Sequence, residues 1–399
     1  MPFNFRLDTM NDKNANSKRL PGLDTLRALA IAWVLMTHYS GFVSGQQTFG
    51  AMGRVGWAGV DLFFVLSGYL VGRQIAIPLA RGNDWSAGDF FARRLLRTLP
   101  NYLVVLLVYF LFPGPPLEGS STAPLWRFLT FTQNFGLAYG ETFTHSWSLC
   151  VEEQFYLALP LAALAWARWG RSAPMAWVAL AAGVALGVAA RGIAFTQHGH
   201  DAFDAEVYYS TFCRFDELLP GVAIAILEGF HPVLFTTLRR HGHALLFSGI
   251  LSSVAVLYCI INELPGPFFA TNFGYSLLAI AFSLLTLAAL SPNALLHRVR
   301  VPGASSLALW SYAIYLVHKP LFMLIAPKLA RWHGNPATWP AIVVIMASGV
   351  AAGWMLFRMV ETPFMQMRSR WFPTQALAGI IPSCHESLLP DVQRTQTVR

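Results

Sequence analysis

Residues 24–38 read DTLRALAIAWVLMTH, an apolar segment with an arginine near its start and a histidine eleven residues later. An ionisable group in hydrocarbon is costly unless it has a partner, so the meaning of this pair depends on whether the segment lies in a membrane. The 399-residue chain is 55% hydrophobic and 12% charged, whereas soluble domains carry roughly 25% charged residues. Its mean hydropathy is +0.47. Apolar runs of spanning length, about 20 residues, recur from one end to the other. This composition excludes an ordinary soluble domain and predicts an all-α, polytopic membrane helix bundle.

Apolar runs and their breakers place ten transmembrane helices near 23–43, 55–78, 98–113, 145–167, 174–192, 208–229, 243–262, 271–290, 306–326 and 338–360. The segment LWRFLTFTQNFGLA, residues 125–138, is read as a re-entrant or interfacial helix, too short and polar-ended to cross. With the N-terminus cytoplasmic, nineteen basic residues fall on inside segments. Six (Arg54, Arg127, Arg191, Lys319, Lys328 and Arg331) fall outside. The positive-inside rule therefore puts both termini in the cytoplasm. The net charge of +8 follows from this asymmetry and requires no nucleic acid. The chain divides into a cytoplasmic arm, 1–22, a membrane domain, 23–363, and a polar cytoplasmic tail, 364–399, expected to be disordered. The arm lacks the apolar region and cleavage site of a secretory signal, so the first apolar segment is expected to remain as a helix. Cys150, Cys213, Cys259 and Cys384 show no paired spacing, which argues against a disulfide framework or a zinc site. No metal is expected.

In the first helix, eleven residues at about 1.5 Å rise put His38 roughly 16 Å beyond Arg27. At about 100° per residue the two lie some 20° apart around the axis, on one face. Asp24 is placed to cap the cytoplasmic end. A snorkelling arginine and a packed histidine would show the same pattern. The loop after the second helix ends in FARRLLRTLPNY, with Arg93, Arg94 and Arg97 at the cytoplasmic mouth. If this turn is helical, Arg94 and Arg97 share a face, and guanidinium forks suit phosphate. Cytoplasmic arginines also follow from topology alone. GVDLFFVLSGYL puts Asp61 in the outer half of the second helix, and HSWSLCVEEQFY puts His145 at the outer end of the fourth with Glu152 and Glu153 inside it. TFCRFDELLPG carries Arg214, Asp216 and Glu217, some of which could pair. In SYAIYLVHKPL, Tyr312, Tyr315 and His318 recur at steps of three, a stripe more often packed than catalytic. Together these groups describe a polar cavity opening from the outer half of the bundle.

In this order, RALAIAWVLMTH, GVDLFFVLSGYL, RRLLRTLP, HSWSLCVEEQFY, SYAIYLVHKPL and VETP, spread over residues 20–363, resemble the membrane-bound acyltransferase family 3, the bacterial integral-membrane O-acyltransferases. The resemblance implies a ten-helix bundle of the inner (plasma) membrane. Such a bundle moves an acyl group, usually acetyl, from cytoplasmic acyl-CoA to a hydroxyl of an extracytoplasmic or lipid-linked glycan or a related small molecule. Carried onto this sequence, the family's arginine–histidine pair falls on Arg27 and His38, and its double-arginine motif falls on Arg94 and Arg97. Its tryptophan–serine–leucine–glutamate stretch falls on Trp147, Ser148, Leu149 and Glu152. Many members carry an extracytoplasmic esterase-like domain after the bundle. None is read in this sequence, which leaves open a separate extracytoplasmic partner or a homo-oligomer.

The resemblance and the residues imply one mechanism. Arg93, Arg94 and Arg97 would hold the nucleotide phosphates of acyl-CoA, a donor substrate rather than a permanently bound cofactor. The pantetheine arm would run along the Arg27–His38 face and bring the thioester near His38. Low dielectric favours a neutral imidazole, which can take the proton of an acceptor hydroxyl or attack the thioester itself. Asp61 or Glu152 is placed to orient that imidazole, unless it is a structural acid paired with Arg214. The rival reading is a proton-coupled transporter or a flippase of a lipid-linked precursor. That reading lacks a pair of similar halves and leaves the arginine-rich mouth unexplained. A sensor that keeps the fold without activity fits less well, because the expected catalytic positions are intact.

Overall fold

The computed structural model describes residues 20–82, 85–169, 172–199, 203–331 and 334–372, and all regular structure in them is helical. Backbone N–H and C=O groups find no water in hydrocarbon, so each apolar run closes its hydrogen bonds within itself. The principal helices are α1 (Pro21–Tyr39), α2 (Ala58–Ala80), α3 (Ala87–Leu111), α4 (Leu125–Leu129), α5 (Trp147–Arg168), α6 (Ala173–His198), α7 (Leu219–Phe230), α8 (Pro232–Arg240), α9 (Gly242–Ile261), α10 (Pro267–Leu290), α11 (Ala304–Arg331), α12 (Trp339–Leu356) and α13 (Thr362–Trp371).

Among the described residues, eight helices are long and apolar enough to cross a membrane. A ninth span results if the bent pair Thr211–Phe230 and Pro232–Arg240, which turns through 113°, counts as one. The protein is therefore a multi-pass membrane protein. The two segments that depart from the ten predicted spans are the polar ones. α5 has the length, but Glu152, Glu153 and Gln154 lower its hydropathy. The sixth is broken into a turn at Thr211–Arg214, a 3₁₀ turn at Phe215–Leu218 and the short α7, with Arg214, Asp216 and Glu217 at the break.

Other boundaries also shift for local reasons. Pro21 occupies the first position of α1 and Leu20 the cap, so Asp24 lies in the first turn and is not the cap. Proline's fixed φ suits that first position, and an acid in the first turn favours the helix dipole. Ser86 Oγ accepts the Asp89 N–H at 3.1 Å and caps α3. Arg93, Arg94 and Arg97 consequently stand on a helix, not in a loop. Within residues 125–138 only α4 is helical, about 7.5 Å of rise, so this segment does not cross. Instead Gln133 bonds Tyr102 and Ser146, and Asn134 bonds Thr211. Arg191 and Lys319, counted above with the outside basic residues, are buried within α6 and α11. The predicted tail begins as helix: α13 packs against α3. Its residues 373–399, like arm residues 1–19, lie outside the described residues.

α2 is the central helix, in contact with α1, α5, α7 and α10. Small residues permit the close approach. A Cβ on Gly68 would sit 2.0 Å from the Leu218 carbonyl oxygen, and one on Gly221 2.1 Å from that of Val65. α6, α9 and α12 form the periphery and expose Val178, Leu186, Phe247, Val254, Val343 and Val344. That outer surface suits lipid tails. Gly68→Ala should force α2 and α7 apart and cost about 1–3 kcal/mol, the usual penalty of overpacking. Thermal unfolding in detergent should show a lower midpoint, whereas Gly88→Ala, where a Cβ meets only Ser86 Oγ at 3.8 Å, should show none.

Candidate functional site

A cavity between α1, α2, α3, α5 and α11 is lined by Arg27, Ser67, Arg94, Arg97, Ser148, Leu149, Glu152, Glu153, Tyr312 and Tyr315, among others. The helical repeat explains this set. Arg94 and Arg97 are three apart on α3, and Ser148, Leu149 and Glu152 share one face of α5. Arg93 is not among the lining residues; its Nε donates to the Asp89 carbonyl at 3.2 Å. Arg94 stacks 3.3 Å from the Tyr156 ring centroid and reaches Glu152 Oε2 at 3.8 Å. Glu152 also accepts from Tyr156 Oη at 2.6 Å and Ser67 Oγ at 3.1 Å. Arg27 and Arg97 make no hydrogen bond or ion pair among the described residues, although both face the cavity. Three guanidiniums thus meet two carboxylates, and two of the three have no hydrogen-bonded partner among the described residues.

At the other end, Tyr315 and Ser148 join the cavity to three histidines. Ser148 Oγ donates to Tyr315 Oη at 2.6 Å, since the Tyr315 hydroxyl donates to the His145 carbonyl, also at 2.6 Å. His38 Nδ1 lies 2.6 Å from His318 Nε2, and the rings are nearly parallel, at 8° with centroids 4.9 Å apart. His318 Nδ1 is 2.9 Å from the Ile314 carbonyl. His145 Nε2 is 3.2 Å from the Leu316 carbonyl, and its ring centroid is 5.6 Å from that of His318 and 6.4 Å from that of His38. Lys319 Nζ lies 4.5 Å from the ring centroid of Phe42, which packs on His38. The stripe Tyr312–Tyr315–His318, expected to serve packing, therefore builds the site. Its steps of three on one helix face were the available signal. Nothing in the sequence marked Lys319, which counts there only with the outside basic residues.

Neither acid expected to orient His38 does so. Asp61 Oδ1 accepts from Arg214 Nη2 at 2.8 Å, and Arg214 also pairs with Glu217, all three side chains fully buried. Rings of Trp147, Tyr208 and Tyr275 enclose that guanidinium at 4.1 to 5.0 Å. Asp61 is a structural acid because a buried cation needs it. Glu152 is engaged at the arginine end, and the partner of His38 is His318. Arg214→Met should leave Asp61 and Glu217 facing each other without a cation. Removing one member of a buried ionic group costs about 3–5 kcal/mol, so the thermal midpoint and the yield of folded protein should both fall.

The acyltransferase-domain family profile matches residues 20–358. The peptidoglycan O-acetyltransferase OatA of Listeria monocytogenes is 28% identical over 364 residues, covering 87% of this chain and 56% of the relative. YrhL of Bacillus subtilis is 28% identical over 388 residues, covering 91% and 57%. The O-acetyltransferase OatA of Staphylococcus aureus is 25% identical over 369 residues, covering 88% and 58%. The chain thus spans 56 to 58% of the length of these curated relatives. No solved structure matches it. With the profile covering most of its length, and Arg27, Arg94, Arg97, Ser148, Leu149 and Glu152 of its motifs lining one cavity, the chain belongs to the acyltransferase-domain family, the membrane-bound acyltransferase family 3 that its sequence resembles.

Proposed function

We propose that this protein is an integral-membrane O-acetyltransferase of the inner membrane. It would carry an acetyl group from cytoplasmic acetyl-CoA to a hydroxyl of an extracytoplasmic or lipid-linked glycan. The observation that carries the reading is the cavity itself, which Arg27 and Arg97 line without a hydrogen-bonded partner among the described residues and whose Tyr315 hydroxyl bonds the backbone of His145 in the histidine cluster. A half-buried guanidinium with no hydrogen-bonded partner is available to an anion, so these two arginines suit one that enters with the substrate. The phosphates of acyl-CoA supply one, with Arg94 and Arg97 as the grip on α3 and Arg27 further in on α1. The donor arm then follows α1 for about 16 Å, eleven residues of helix rise, to His38. A glycan acceptor is supported by the names of the relatives from Listeria and Bacillus, a peptidoglycan O-acetyltransferase and a putative one.

His38 would act at the thioester. As general base it takes the hydroxyl proton while the oxygen attacks the thioester carbon, and the proton passes to the departing thiolate. As acyl carrier it bonds the acyl carbon first and expels the thiolate. The acceptor hydroxyl then takes the acyl group and surrenders its proton, which neutralises the thiolate. His38→Ala should abolish acetyl transfer in a purified assay while acetyl-CoA still binds, since removal of a positioned base typically costs about 10²- to 10⁴-fold. Arg94→Ala or Arg97→Ala should instead weaken acetyl-CoA binding by about 1.5–3 kcal/mol, the worth of a hydrogen bond to a charged group. Lysine should restore it only in part, lacking the planar fork. A His38→Ala variant that keeps its transfer rate, or a folded arginine double mutant with wild-type acetyl-CoA affinity, would refute these assignments.

Counting α5 and the bent pair with the eight longer helices makes ten spans, which returns both termini to the same side. The basic asymmetry makes that side the cytoplasm. A reporter fused after Pro390 should therefore be cytoplasmic and one inserted near Gly119 external. An external C-terminal reporter would mean an odd number of crossings.

A further inference from the structure

The hydrogen bonds around His318 determine which nitrogen of His38 can react. The Ile314 carbonyl oxygen, 2.9 Å from His318 Nδ1, can only accept, so Nδ1 of His318 carries a proton and donates it. In a neutral imidazole the other nitrogen is then a lone-pair acceptor. That atom, Nε2, is 2.6 Å from His38 Nδ1, so His38 must donate there. The lone pair of neutral His38 is thereby placed on Nε2, which has no partner among the described residues. No carboxylate bonds either ring among those residues, so the chain of donors runs from His38 through His318 to a backbone carbonyl of α11.

We infer that His318 is the positioning residue of the site: it holds His38 in the Nδ1–H tautomer and so makes Nε2 the atom that bonds the incoming proton or acyl carbon. This rests on the O-acetyltransferase reading above and applies to both of its routes, because each needs one lone pair and the His38–His318 contact occupies the other nitrogen. As Nε2 gains its proton or acyl carbon, positive charge develops on the ring. The Nδ1–H bond to His318 Nε2 then strengthens, as hydrogen bonds to ionised donors do. Turning a catalytic imidazole to the wrong tautomer is a large kinetic loss even when the geometry survives. The backbone anchor serves the same end, since a carbonyl one helical turn back cannot change its role with protonation. α11 thus contributes a fixed polarity to a histidine of α1 across the bundle.

Three variants and one spectroscopic measurement test this. His318→Leu removes the acceptor and should lower the turnover of acetyl transfer by about 10²-fold or more with the apparent KM for acetyl-CoA unchanged. His318→Gln, whose amide oxygen can accept from His38 Nδ1, should recover most of that loss. In uniformly ¹⁵N-histidine-labelled protein, with His38 signals identified by their absence in His38→Ala, the wild type should show a protonated Nδ1 and a lone-pair Nε2, and His318→Leu should lose that preference. A wild-type His38 protonated on Nε2 would overturn the inference, as would a folded His318→Leu variant with full turnover. A His318→Gln variant that binds acetyl-CoA but is as slow as His318→Leu would also overturn it, since His318 would then act through its own proton. The tautomer measurement needs no turnover, so a protein that transfers no acetyl group but shows the Nδ1–H signal would sink the proposed function and leave the positioning role standing.

Discussion

Buried charge is the constraint on which this bundle turns. In a medium where an isolated ion costs several kcal/mol, each guanidinium must find partners or face a space that will supply them. Arg191 and Arg214 take the first course. Arg191 donates to both oxygens of Asp216 at 2.7 and 3.0 Å, to Ser276 Oγ and the Cys213 carbonyl at 2.5 Å, and to the Asn272 carbonyl at 2.9 Å. Arg214 has Asp61, Glu217, the Tyr208 carbonyl and three aromatic rings. These two clusters tie α6, α10 and the broken sixth segment to α2, and they engage all five N–H donors of Arg191 and four of the five of Arg214. Arg27 and Arg97 take the second course, which separates the structural arginines from those assigned to the substrate.

The same helices serve both purposes. Asp61 on α2 belongs to the Arg214 cluster, whereas Ser67, six residues later, steadies Glu152 at the cavity. On α5, Trp147 stacks on Arg214 while Ser148, Leu149 and Glu152 face the cavity. The broken segment at Thr211–Leu218 follows from this arrangement. Arg214 and Glu217 must both point at α2, and Asp216 must point away at Arg191, which the short 3₁₀ turn accommodates.

Several features of the site could be read in the sequence because they depend on the geometry of single helices. Arg27 and His38 share a face of α1, and Arg94 and Arg97 share one of α3, as their spacing requires. Ser148, Leu149 and Glu152 project together by the same rule. What could not be read was which groups meet across the bundle. His38 in the last turn of α1 and Asp61 in the first turn of α2 lie on helices in contact, yet Asp61 turns to Arg214, because an enclosed guanidinium attracts a carboxylate more strongly than an imidazole does. His318, 280 residues from His38, lay in a stripe whose periodicity is equally that of packing.

The sequence alone determined the class of the molecule and its motif track: long apolar runs compel backbone hydrogen bonds to close within helices, and helical periodicity fixes which side chains of one segment share a face. Only the tertiary structure decided the partners. It paired Asp61 with Arg214 and Arg191 with Asp216, left Arg27 and Arg97 facing the cavity, and set His318 against His38. Periodicity assigns an angle on one helix axis, whereas a hydrogen bond or ion pair depends on the distance between helices remote in the chain, and that distance is set by how the whole bundle packs.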